Sequence, residues 1–192
     1  MLRTEKNDPR FKRTRKLILQ AFMELLPEKG FQAVSVQDIA QKAGINRATF
    51  YAHFPDKYVL LDHSIQHMFR QEIERRMLDA CHYSDENLKS LIIMVCEFVS
   101  NANSHCAPSQ PQFESLVEAQ VKNQLQGLLQ VWLEKEEATI DPKTAATAAS
   151  WAIYGLVLQW NHDKSKKKAS AEEFADRVLP LIAVNLRLAQ PA

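Results

Sequence analysis

Between residues 57 and 77 apolar side chains return every fourth position, at Leu61, Ile65, Phe69, Ile73 and Met77, with Leu60 and Met68 beside them. That repeat marks one face of a long α-helix. The same period recurs along most of the chain. Phe11, Ile18, Phe22 and Leu25 predict a helix from about Arg10 to Glu28, with Pro27 disturbing its last turn and Gly30 ending it. Leu88, Leu91, Ile92, Val95 and Val99 predict another over residues 87–100. The aperiodic stretch 102–111, with its two prolines, reads as a loop. Phe113, Leu116, Val117, Val121, Leu125, Leu128, Leu129 and Trp132 predict one long or two broken helices up to about Ala138.

Asp141 followed by Pro142 is a cap and a first-turn proline, opening a helix to about His162. That helix carries small residues (Ala145, Ala148, Ala149, Ala152, Gly155) and bulky ones (Trp151, Tyr154, Leu158, Trp160). Ser170 and Glu173 form a capping box ahead of the last helix, which runs through Phe174, Val178, Leu181 and Ile182 with a kink expected at Pro180. No strand pattern interrupts the series. The fold class expected is all-α with about nine helices.

The segment from Val34 to Leu61 is denser in punctuation than the rest. Ser35 and Asp38 make a capping box, with Val34 and Ile39 at staple positions, and Val36, Ile39, Ala40 and Ala43 form one apolar stripe. Gly44 can end this short helix in a left-handed turn. Two residues later Asn46 caps a second short helix, with Ile45 and Phe50 as its staple pair. Pro55 biases Phe54 away from helical angles, and Asp56 caps the long helix beyond. Two short helices joined by a tight glycine turn are the signature of a helix-turn-helix, whose second helix enters the DNA major groove. Its first turn presents Arg47, Ala48 and Thr49, and Tyr51 and His53 continue the polar side while Phe50 and Phe54 point inward. Arginine forks onto guanine edges, threonine donates or meets a thymine methyl, and Tyr and His reach phosphate oxygens. On spacing alone, a plain helical hairpin with a solvated face fits the same residues.

The run GINRATFYAHFPDKYVLL, preceded by EKGFQAVSVQDIAQKA, closely resembles the DNA-binding domain of the TetR/AcrR family of bacterial transcriptional regulators over about residues 10–61. The resemblance implies an N-terminal helix-turn-helix domain over residues 1–56, followed by a helical effector-binding and dimerisation domain over residues 57–192. It implies a cytoplasmic, sequence-specific regulator, a homodimer that grips a palindromic operator and releases it on binding a small-molecule effector. Carried over by position, Thr49, Tyr51 and His53 are groove or phosphate contacts, Lys57 is a phosphate clamp and Gln37 is a contact from the supporting helix. The last two helices, about 142–163 and 171–188, resemble the pair that builds the family's four-helix dimer interface. Candidate effector-pocket walls are the aromatic residues of the body helices: Phe69, Phe98, Trp132, Trp151 and Tyr154.

Charge changes the picture modestly. The chain of 192 residues has a net charge of +1, but residues 1–60 hold eleven Lys and Arg against six Asp and Glu, hence +5, and the remainder is −4. A basic end on an acidic body suits phosphate attraction at one end. Lys12, Arg13 and Lys16 could approach phosphates, or simply solvate a helix face. Residues 1–8 read as a mobile arm whose Arg3 and Lys6 could brush DNA.

Three cysteines without a CxxC pair fit a reducing compartment, the N-terminus lacks a signal peptide's apolar core, and the most apolar run, 145–158, is too short to span a bilayer. The expectation is therefore a soluble intracellular protein. His63 and His67 have the i, i+4 spacing of a metal pair but no third ligand, so neither a metal nor another cofactor is expected. No GxSxG, GxGxxG, P-loop or HExxH occurs, and the four glycines (30, 44, 127, 155) are scattered, which disfavours an enzyme. A ligand-independent or thiol-responsive regulator acting through Cys106 stands as the alternative to effector control.

Overall fold

The computed structural model describes residues 8–76, 82–105, 111–134, 140–165 and 168–187. Among them every regular element is an α-helix: α1 (Pro9–Ala33), α2 (Val36–Lys42), α3 (Arg47–His53), α4 (Lys57–Arg76), α5 (Asp85–His105), α6 (Pro111–Leu133), α7 (Pro142–His162) and α8 (Ala171–Arg187). These are eight helices rather than about nine. Residues 111–133 form one helix, because Val117, Val121, Leu125, Leu129 and Trp132 keep a continuous buried stripe that no proline interrupts. The N-terminal arm, Met77 and Cys106 lie outside the described residues.

Two boundaries differ from the sequence reading. Asp8 is no part of a free arm: its carboxylate accepts from the Arg10 N–H at 2.8 Å, and Pro9 fills the first turn of α1. Residues 102–105, expected in a loop, continue α5, since nothing there before Pro108 opposes helical angles. The helical run of α1 passes Pro27, but at Gly30 the backbone turns to φ 73°, ψ 153° before one further turn brings in buried Phe31. The break falls at Gly30, the expected end of the helix, whereas Pro27 leaves the helical backbone undisturbed.

α1, α2 and α3 pack on one another, and α4 runs from them into a bundle in which α6 lies on α4 and α7, and α5 on α7 and α8. One apolar core is continuous from Phe22, Phe50 and Phe54 through Leu61, Ile65 and Phe69 to Trp132, Ile153 and Val157. α4 therefore belongs to both halves, so a tilt of that helix moves α1–α3 against α5–α8. Polar ties close the far end of the bundle: Trp160 Nε1 donates to the Ala169 carbonyl at 2.8 Å, and Ser100 Oγ lies 3.0 Å from Asn161 Oδ1.

Candidate nucleic-acid interface

Side chains punctuate the α2–α3 pair at each end. Ser35 Oγ accepts from the Asp38 N–H at 3.1 Å and Asp38 Oδ2 from the Ser35 N–H at 2.9 Å, the reciprocal cap that opens α2. Lys29, 2.6 Å away, and Ser35 hold the Asp38 carboxyl well below the usual carboxylate range. α2 ends at Gly44, whose φ of 68° lets the Ile45 N–H reach back to the Ala40 carbonyl at 2.9 Å. Asn46 Oδ1 then accepts from both the Thr49 N–H (2.7 Å) and the Thr49 hydroxyl (2.9 Å), opening α3.

α3 is short, and what orients it is its apolar side. Phe50 and Phe54 are wholly buried, their rings 6.1 Å apart, and the Arg15 guanidinium of α1 lies 4.4 Å over Phe54. With that side fixed, Arg47 and Ala48 are exposed, Tyr51 is 48% exposed, and Arg47 Nη2 approaches Tyr51 Oη at 3.4 Å. Gln37 is exposed on α2, and Lys12, Arg13 and Lys16 belong to α1. Thr49 is half-buried with its hydroxyl proton engaged by Asn46, which leaves its methyl and its lone pairs for a base edge.

Two of the expected contacts sit differently. The His53 ring packs 4.0 Å from Phe11 of α1, and its Nδ1 is buried without a hydrogen-bond partner. Burial, with a smaller contribution from the nearby Arg15 charge, pulls its pKa below the ordinary histidine value, so the ring is neutral at pH 7. Lys57, expected to reach outward to phosphate, turns inward. Its ammonium donates to the carbonyls of Phe31 (2.9 Å), Gln32 (3.0 Å) and Val34 (3.0 Å) and lies 4.9 Å from the Phe31 ring. Three donors meet three acceptors, and the side chain caps the end of α1 from the first residue of α4.

The five aromatic residues considered as pocket walls do not gather around one cavity. Phe69 and Trp132 are wholly buried, Tyr154 is buried with its phenol pKa pushed up by desolvation, and Trp151 is 61% exposed with the Lys122 ammonium 3.6 Å over its ring. Only Phe98, which meets Phe69 edge-on at 5.9 Å, borders the main cavity. This cavity of about 450 Å³ lies at the seam between the two halves. α1 supplies Met23, Leu26 and Pro27, and α4 supplies Leu61, Ile65 and Met68; Met94 and Phe98 of α5 and Val117 of α6 complete the apolar wall. Gln71, Glu72, Arg75, Glu97 and Asn101 form the polar rim. Sequence spacing could not find the α1 residues, because a gap between helices leaves no mark in the period of any one of them.

The remaining features are quickly placed. His63 packs edge-on against Phe54 at 5.6 Å, and no cluster of three potential metal ligands occurs among the described residues. Cys96 is buried, and desolvation raises its thiol pKa to about 12, which removes it as a reactive thiolate. Among the described residues no helix is long and apolar enough to cross a membrane.

Comparison with known proteins bears on this geometry. A family model described as bacterial regulatory proteins, tetR family, matches residues 18–63, which run from α1 into α4. The chain is 42% identical over 60 residues to YxbF, an HTH-type transcriptional regulator of Bacillus subtilis; the match covers 31% of this chain and only 16% of that relative's length. It is 28% identical over 161 residues to the HTH-type transcriptional regulator EthR of Mycolicibacterium smegmatis, covering 83% of this chain and 74% of EthR. A crystal structure of a TetR-family regulator from Streptomyces coelicolor superposes with a TM-score of 0.64 at 19% identity, over 94% of this chain and 98% of that one. Residues 18–63 thus match the tetR family of bacterial regulatory proteins in sequence, and nearly the whole length of the chain shares the fold of a TetR-family regulator.

Proposed function

We propose that this regulator binds a two-fold symmetric operator as a homodimer, with residues 1–56 as its DNA-binding domain, and that a small effector in the α4–α8 body releases it. The observation that carries the reading is the division of α3. Phe50 and Phe54 lock one side into the core, and Arg47, Ala48 and Tyr51 stand out on the other. Arg47 and Thr49 supply base readout, Tyr51 and the α1 cations Lys12, Arg13 and Lys16 supply phosphate contacts, and Gln37 adds a contact from α2. His53 shapes the interface by fixing α3 against Phe11.

A single seven-residue helix touches few base pairs, so useful affinity requires two heads held at a fixed separation. α7 and α8 offer the surface for pairing. Along α7, Ala148, Trp151 and Gly155 are exposed on successive turns, and α8 adds Leu181 and Val184, with Trp151 61%, Leu181 62% and Val184 56% exposed. Large apolar side chains grouped on neighbouring helices mark an association surface. An effector that binds best when the heads are misplaced weakens operator binding through its differential affinity, typically about 1–3 kcal/mol. Selecting bound fragments from the source genome and titrating the best one by fluorescence anisotropy tests the whole reading. The expected result is a palindromic site bound by dimers; selection of no common sequence contradicts it.

A further inference from the structure

We infer that the seam cavity is the effector site and that it takes an aliphatic amphiphile, an unbranched chain of about ten to twelve carbons ending in a carboxylate, which touches the DNA-binding domain directly. This rests on the effector-controlled reading above and names its ligand class. Two kinds of observation carry it, the wall and the rim.

The wall is aliphatic. Apart from the single ring of Phe98 it is made of Leu, Ile, Val and Pro side chains and of Met23, Met68 and Met94. Thioether side chains repack around a flexible chain, and one lone ring gives a planar aromatic ligand nothing to sandwich it. At roughly 30 Å³ for each methylene-sized group, about the share of one liquid water, 450 Å³ holds at most about fifteen such groups, and about ten to twelve at realistic filling.

The rim is charged but balanced. Glu72 accepts from Arg75 Nη2 at 2.7 Å and from Arg76 Nε at 3.2 Å, and Arg76 also pairs with Glu97, tying α4 to α5. Arg75 spends Nε and Nη2 on Glu72, its Nη1 takes no part in those bonds, and its side chain is 63% exposed at the mouth. A carboxylate arriving on an apolar tail can share that guanidinium. An ammonium in the same place would meet Arg75 and Arg76 across carboxylates already engaged.

The floor explains how occupancy reaches DNA. Met23, Leu26 and Pro27 belong to α1, just before its turn at Gly30, and their neighbours Phe22, Leu25 and Phe31 are core residues of the helix-turn-helix domain. A ligand there sits between α1 and α4, so filling the cavity and setting the angle of the head involve the same side chains.

The test is isothermal titration of the full chain with octanoate, decanoate, dodecanoate, dodecanol and dodecylamine, each below its micelle concentration. Affinity should rise about four-fold per added methylene up to ten to twelve carbons. Dodecanoate should bind at least ten-fold tighter than dodecylamine. Arg75→Gln, an exposed substitution, should erase that preference and leave dodecanol unchanged, and Met68→Trp should fill the cavity and abolish uptake of every chain. Affinity independent of chain length, equal binding of carboxylate and amine, or full binding in Met68→Trp overturns the inference. These titrations contain no DNA, so they stand apart from the regulatory reading. If the chains bind as described but no operator is ever selected, that reading fails and the ligand class stands.

Discussion

The Lys57 ammonium gives the sharpest opportunity to separate a fold contact from a DNA contact at one atom. Lys57→Met keeps the aliphatic stem and removes only the charge and its three donors. Two of the three hydrogen bonds, to Phe31 and Val34, are part-buried and the one to Gln32 is exposed. Charge-assisted bonds are worth roughly 1.5–3 kcal/mol each, and an exposed one far less. The ammonium also loses water on burial, which lowers its pKa from the ordinary lysine value and offsets part of the gain. The net loss should be about 2–3 kcal/mol, or roughly 4–10 °C in Tm for a chain of this length. Thermal and urea unfolding followed by circular dichroism read that loss directly, with amide exchange at Val34 as a local reporter. Operator affinity measured against salt supplies the contrast, because a phosphate contact contributes about 0.9 to the slope of log K against log salt for each phosphate. The latch predicts lower stability and an unchanged slope. Unchanged stability with a slope shallower by about two per dimer would refute the reasoning and restore the outward phosphate role.

Other substitutions test neighbouring parts of the interface and the fold. Arg47→Ala and Tyr51→Ala should each leave dimers intact and weaken operator binding, Arg47→Ala by about 1–3 kcal/mol, read by anisotropy; unchanged affinity in both would count against α3 as the reading helix. Because the folded His53 pKa is depressed, the unfolded chain binds the extra proton first as pH falls. Stability should thus decline from about pH 6.5 downward through the folded value, and His53→Phe should flatten that decline in urea midpoints at pH 7.5 and 5.5. Leu181→Glu on α8 should shift the light-scattering mass from a dimer toward the 22.0 kDa protomer and lose operator binding with it; a dimer that survives would move the interface elsewhere.

What the sequence could disclose was governed by reach. The caps at Ser35, Asn46, Asp56 and Ser170 are side chains bonding backbone within three residues, so residue type and spacing alone are enough to display them. Phe50 and Phe54 were legible for the same reason, four apart on a short helix. Lys57 was not, since its partners lie 23 to 26 residues earlier in the chain. Trp151 shared a helix with buried Ile153 and Tyr154, and periodicity alone cannot tell which of several apolar faces points outward. Likewise the seam cavity takes its walls from four helices, and the aromatic residues that stood out in sequence mostly fill the core around it.

Regulation of the proposed kind depends most on α3 of two paired chains reading one duplex. Hydroxyl-radical footprinting on the selected operator tests that directly. The expected result is two protected patches on one face of the DNA, centred about one helical turn of 10–10.5 bp or a multiple of it apart, both lost together in Arg47→Ala. A single unpaired patch, or protection that Arg47→Ala leaves unchanged, would contradict it.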